Sequence, residues 1–244
     1  STSVLGELFS AGKELTRSLD QVNQELLKLN VSDERRIGNN LHKLIRQQHS
    51  VIDDKRLTLQ LERLAKLFLQ QLQRPEIDYT FVVLDDSNIN AFAHLGGYVY
   101  INRGLLEFVQ NEEELQFVLG HEIAHVDLRH CVEKITYAAR ANQVAGDLGA
   151  SLVQLAYHSI ALGYSKDQEF EADARSYLRL GDMQPQALYF LNRLSEKEGQ
   201  QQVKNEPVSP VGATIQEVEK HFQTHPPTAE RITRLKALKG STPF

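Results

Sequence analysis

Several common functions are excluded by what this 244-residue chain has little of. A single cysteine, Cys131, cannot form a bridge within the chain, so it is no disulfide-stapled secreted scaffold. There is no tryptophan, and aromatic residues make up only 7%, which argues against recognition of sugars or bases on stacked rings. Lys+Arg 27 against Asp+Glu 32 gives a net charge of -5, the wrong sign for a nucleic-acid partner. Seven prolines and 14 glycines are too few for collagen-like or low-complexity material. No uninterrupted apolar run reaches 18 residues, so no ordinary transmembrane helix is expected, and no basic-then-apolar signal peptide opens the chain. The only methionine is Met183 and the chain starts at Ser1, so the expectation is that a segment ahead of Ser1 has been removed, by processing or by choice of boundaries.

What remains is a chain with 41% hydrophobic residues, enough for a sizeable aliphatic core. Residues 1 to about 74 read as helices. Val4, Leu5, Leu8, Leu15, Leu19, Val22 and Leu26 recur at helical spacing; Ile37, Leu41, Leu44 and Ile45 follow Ser32 as N-cap; and Leu57, Leu61, Leu64, Leu67, Phe68 and Leu72 end before Pro75. Then the period changes. Tyr79 to Leu84 is a β-branched and aromatic run closed by a turn, and Asn90 to Ala93 and Gly97 to Ile101 flank a glycine turn, so a small sheet is expected. Asn111 with Glu114 three residues on starts another helix, stabilised by acids in its first turn. Leu148 to Ser165 carries no Asp, Glu, Lys or Arg and reads as a buried or interface helix. Helices are also predicted over 166–180, 185–198, 214–222 and 228–239, with a surface loop over 199–213. The fold class is α+β, helix-dominated.

The chemistry lies in His121-Glu122-Ile123-Ala124-His125. Histidines four apart on a helix project from one face, the spacing at which two ring nitrogens bind one zinc ion. Glu122 is rotated about 100° from them at ~3.6 residues per turn, where it reaches a metal-bound water without being a ligand. Composition alone predicts under about 0.05 such patterns in the chain, which sets chance aside. His130 falls about 180° round a continuous helix from His121 and is expected to face away as a structural residue, hydrogen-bonded in the helix packing. A third ligand is needed. Glu169-Phe170-Glu171-Ala172-Asp173 offers Glu169, with Asp173 one turn on to accept a hydrogen bond from a ligand histidine and Glu171 on another side.

Asn90 to Ala93, Gly96 to Ile101, Gly104 to Leu106, His121 to His125, Glu169 to Asp173 and Thr224-His225-Pro226-Pro227 through Arg231-Ile232 together resemble the HtpX-like and CAAX-prenyl-protease family of zinc metalloendopeptidases, metallopeptidase family forty-eight, over roughly residues 50–240. The resemblance implies a gluzincin, zincin-like fold, one Zn2+ per chain, and a zinc metallopeptidase domain over 51–244 after an N-terminal helical segment at 1–50. It further implies cleavage of unfolded or misassembled polypeptides in envelope protein quality control, periplasmic or otherwise extracytoplasmic, with membrane or outer-membrane assembly proteins as partners. The lack of spanning helices sets the chain apart from the integral-membrane branches. A latent or inactive relative acting as chaperone or scaffold is the alternative.

Other residues keep more than one reading. Gly97, Tyr98, Val99 and Tyr100 suit an exposed edge strand that pairs with an extended substrate backbone, or else an ordinary inner strand. His225 is a catalytic donor to the oxyanion, a fourth metal ligand holding the enzyme latent, or a structural anchor. Arg231 holds a carboxylate near the site or covers a helix, and Tyr164 lines the cleft or packs the core. Cys131 reads as a small buried hydrophobe.

Overall fold

A computed structural model of the chain describes residues 28–136, 152–160, 162–202 and 228–238. The elements run α1 (Val31–Gln48), α2 (Lys55–Leu69), β1 (Thr80–Leu84), β2 (Ala91–His94), β3 (Tyr98–Asn102), α3 (Arg103–Phe108), α4 (Glu112–Asp127), α5 (Leu152–Ile160), α6 (Lys166–Arg179), a 3-10 turn (Gly181–Met183), α7 (Gln184–Gln202) and α8 (Thr228–Ala237). Residues 130–136 are also helical. The class is the expected one: helices dominate and the sheet is small. The helices read over 1–26 and 214–222, the 203–213 part of the loop read over 199–213, and His225 lie outside the described residues.

Short polar side chains start the helices. Asn30, not the expected Ser32, caps α1 by accepting from the Asp33 amide at 2.8 Å. Asp54 accepts from Arg56 N at 2.8 Å, Asn111 from Glu114 N at 3.0 Å, and Ser165 and Gln168 form a reciprocal capping box. The predicted stop of α7 at Gly199 is corrected, since the helix runs to Gln202. An interior glycine costs a helix only about 1 kcal/mol and need not end it.

The sheet order is β1-β3-β2, with β3 parallel to β1 and antiparallel to β2. The β2–β3 hairpin turns at Gly96 and Gly97, whose φ of 87° and 82° lie where other residues are strained. Both faces are covered. Phe81, Val83, Ala91, Ala93, Val99 and Ile101 face the larger core with α2 and α4, while Val82, Leu84 and Tyr100 face a second core with Ile37, Leu41 and Ile45 of α1 and Ala156 and Ile160 of α5. Burial on both sides explains why these strands are nearly continuous apolar runs. The expected exposed edge at Gly97, Tyr98, Val99 and Tyr100 is therefore corrected: β3 is the middle strand. The outer side of β1 is covered by residues 50–52, through Ile52 N–Val83 O and Asp85 N–Ser50 O at 2.9 Å each. Among the described residues, no further strand pairs with β2 on its outer side, where the Ala91 amide donates to Asn90 Oδ1 at 2.9 Å and Cys131 Sγ lies 3.8 Å from the Ala93 carbonyl.

On the second face lies a chain of polar groups. The Leu95 carbonyl can only accept, so His94 donates to it from Nδ1 at 2.8 Å; Tyr100 then donates its hydroxyl to His94 Nε2 at 3.0 Å, and His42 donates from Nδ1 to Tyr100 at 2.7 Å. Burial is the main reason the His94 imidazole is lowered to about 3.

Helix α4 is buried nearly all round, as a central helix must be, between α2, α6, α7 and the sheet. Two of its buried acids sit against cations, Glu114 with Arg193 and Asp127 with Arg175, and Asp127 also takes the Gln73 and Arg74 amides. At Gly120 a Cβ would overlap the Phe68 ring and Ser176 Oγ, so only glycine allows α6 to approach as closely as it does. Ser176 closes that approach by donating to Phe117 O at 2.6 Å.

Two outcomes are expected. Between pH 6.5 and about 3 an unfolded chain takes up a proton that folded His94 refuses, so stability falls as pH falls through that window, by up to about 1.4 kcal/mol per pH unit. Urea titrations from pH 7.5 to 5.0 should show a shallower decline for His94→Gln. Gly120→Ala should lower the urea-unfolding free energy by about 1–3 kcal/mol through overpacking.

Candidate metal centre

α4 carries His121 and His125 one turn apart, and α6, crossing it at Gly120, carries Glu169 and Asp173 at the same interval. All four are buried. His121 Nε2 lies 3.0 Å from His125 Nε2; Glu169 Oε2 is 3.4 Å from the first and Glu169 Oε1 3.5 Å from the second. Zinc–nitrogen bonds of about 2.0–2.1 Å at tetrahedral angles place neighbouring ligand atoms about 3.3–3.4 Å apart. The donor set therefore fits one divalent ion of that size. Among the described residues the cluster supplies three ligands, two imidazoles and one carboxylate, the number that a catalytic zinc site takes from its protein.

Asp173 stands behind His121. It accepts from His121 Nδ1 at 2.8 Å, which leaves the Nε2 lone pair facing the ligand cluster. Arg231 of α8 donates to the same carboxylate from Nε at 2.8 Å and Nη2 at 2.7 Å, so of its two sequence readings the structure selects the carboxylate partner. Burial works to raise Asp173, but the Arg231 guanidinium and the His121 contact hold its carboxyl well below the usual range. Burial likewise works to lower His121, yet the Glu169 and Asp173 carboxylates carry it up to about 10. A field that favours a proton at that nitrogen also favours a metal cation.

The His125 side differs from expectation. His130 does not face away: its Nδ1 is 3.0 Å from His125 Nδ1, and its Nε2 is 3.2 Å from Glu171 Oε2. The reason is a break in the helix. α4 ends at Asp127, Arg129 adopts φ 62°, and the helix restarts at 130, so His130 folds back. No sequence signal marks that reversal, because the residue in the left-handed region is an arginine. Tyr164 packs flat on His125, with ring centroids 3.7 Å apart and planes 10° apart. Burial pushes the Cys131 thiol up to about 11, and its Sγ sits 3.2 Å from the Tyr164 hydroxyl, in keeping with an inert buried residue.

Glu122 lines a cavity of about 50 Å³ beside His121, with Phe117, Val118, Leu105 and Phe190 forming apolar walls and Asn90 and Ala91 of the β2 segment at its rim. Glu122 thus adjoins the ligand cluster without belonging to it. The lining comes from the β2 segment, α3, α4, α7 and α8, and nothing in the local sequence announced their convergence.

Comparison with known proteins agrees with this geometry. The sequence model of Peptidase family M48 matches residues 52–239. The chain is 29% identical over 190 residues to Metalloprotease YcaL of Escherichia coli, covering 72% of this chain and 67% of that one. It is 28% identical over 130 residues to the beta-barrel assembly-enhancing protease of the same organism, covering 52% of this chain and 27% of that one. Over 59 residues it is 46% identical to the mitochondrial metalloendopeptidase OMA1 of Bos taurus, covering 24% and 11%. The chain thus spans about a quarter of the length of the beta-barrel assembly-enhancing proteases that it matches.

Arg231→Met leaves the Asp173 charge buried without its guanidinium, and should cost about 3–5 kcal/mol in urea unfolding. Asp173→Asn should weaken metal binding about 10–100-fold, measured by competition with a chromophoric chelator.

Proposed function

The chain belongs to Peptidase family M48, and from that premise we propose that it is a zinc metalloendopeptidase in which His121, His125 and Glu169 hold one Zn2+ and Glu122 is the general base of peptide-bond hydrolysis. The observation that carries this reading is the convergence of three ligand atoms, all within 4.8 Å of one another, beside a cleft that the Glu122 carboxylate lines. When bound, zinc supplies Lewis-acid polarisation of the scissile carbonyl and an acidified water. The protein's own groups do the rest. Glu122 takes a proton from the attacking water and returns it to the departing amine. Asp173, clamped by Arg231, keeps the His121 proton on Nδ1.

The cleft supports a proposal for the substrate class. As an end strand of the sheet, β2 can pair with an extended backbone, which gives affinity with little sequence demand. The apolar cavity beside Glu122 accepts one hydrophobic side chain next to the scissile bond. Extended chains with intermittent apolar residues describe unfolded polypeptide. The names of the beta-barrel assembly-enhancing relatives support a role in envelope protein quality control, with outer-membrane assembly proteins as partners and an extracytoplasmic location. Among the described residues no helix is long and apolar enough to cross a membrane. His225, still a candidate oxyanion donor, latent fourth ligand or anchor, is tested by the same assay, since a latent fourth ligand predicts that His225→Ala raises activity.

The experiment is hydrolysis of an unfolded, casein-like substrate by zinc-loaded protein. Glu122→Gln should retain stoichiometric zinc while the rate falls about 10²–10⁴-fold, the share carried by general acid–base catalysis. Undiminished cleavage by that variant would remove Glu122 from the role of base. Zinc-loaded wild type and His225→Ala that both cleave nothing would favour the scaffold alternative.

A further inference from the structure

The two histidines on α4 are backed differently, and the second backing has consequences for the metal centre. His121 leans on a carboxylate, Asp173, that Arg231 neutralises. His125 leans on another imidazole. Its Nδ1 is 3.0 Å from His130 Nδ1, and His130 Nε2 is 3.2 Å from Glu171 Oε2. Two nitrogens at that distance need one proton between them, and the ligand geometry decides which nitrogen carries it. His125 directs Nε2 at His121 Nε2 and Glu169, so its lone pair is there and its proton is on Nδ1. His130 Nδ1 must then accept, which puts the His130 proton on Nε2, where Glu171 accepts it. Every polarity along the chain is satisfied in one direction, from the metal centre outward to a carboxylate at the surface.

We propose that His130, oriented by Glu171, is a positioning residue for His125: it accepts the Nδ1 proton, fixes the tautomer and holds the ring's in-plane rotation for metal binding. The remaining freedom of the His125 ring is removed by Tyr164. Tyr164 lies flat against it at 3.7 Å and carries the Lys134 ammonium 3.7 Å from its own ring centre. The ammonium must lie on the opposite Tyr164 face, because the imidazole already fills the near one. Stacking fixes the plane of the His125 ring, and the His130 contact fixes its rotation within that plane. The backbone reversal at Arg129 is what brings His130 round, and it is held by Arg129 Nη1 3.4 Å from Glu34 Oε1.

This inference rests on the metal-centre reading, so the test separates the two. Zinc affinity by chelator competition, the visible absorption of the Co2+-loaded protein and the melting of the metal-free protein are measured for the full chain and three variants. His130→Phe keeps the ring volume but removes the acceptor, and should weaken zinc about 10–100-fold and shift the Co2+ bands, with the metal-free melt little changed. His130→Asn places an amide oxygen where Nδ1 was, and should restore affinity to within about threefold of wild type. Glu171→Gln, which still offers an oxygen to Nε2, should behave as wild type. Zinc affinity and Co2+ bands unchanged in His130→Phe would overturn the proposal. So would equal losses in the Phe and Asn variants accompanied by lower metal-free melting, which would mark His130 as packing only. Wild-type protein that binds no zinc would instead overturn the centre itself.

Discussion

The close crossing of α6 over α4 is the constraint on which everything else depends. Each helix presents two polar residues one turn apart, and the pairs meet only because Gly120 has no side chain to hold the backbones away from each other. Burying carboxylates is costly unless partners are supplied, and here the partners are the site. Asp173 is satisfied by His121 and Arg231, and Glu169 faces both imidazoles. The apolar packing of Phe68, Leu119 and Ile123 and the chemistry of the ligand cluster are thus aspects of one interface.

Much of this was legible in the sequence, for identifiable reasons. Helical periodicity and capping residues located α2, α4, α6 and α8 to within a few residues, since both signals are local. The pairing of His121, His125, Glu169 and Asp173 was legible because two one-turn spacings are a geometric statement about two helix faces. What was not legible depends on contacts between distant segments. Strand order put β3 in the middle, although its glycine turn and alternating tyrosines suit an edge equally well. His130 was misplaced because extrapolating α4 as a continuous helix ignores the reversal at Arg129. The two roles open for Tyr164 could be told apart only by its ring lying against His125.

The ion pairs at the far end of α4 show the same dependence. Asp127 takes the Gln73 and Arg74 amides, Arg74 reaches Glu34 at 2.6 Å, and Glu34 also meets Arg129. This cluster ties α1 to the end of the histidine-bearing helix, so the segment ahead of residue 51 is joined to the turn that carries His130. Residues 31–48 also supply Ile37, Leu41 and Ile45 to the core beneath the sheet.

The four-residue length of β2 has its own implication for discrimination. If β2 docks substrate as proposed, so short a rail would offer only a few backbone hydrogen bonds, too few to pull a strand out of someone else's sheet. A protein that has completed its own folding would keep those bonds at home and present nothing to exchange. Selectivity would then arise from a guest's failure to have matured, and would fade by itself as that guest finishes folding.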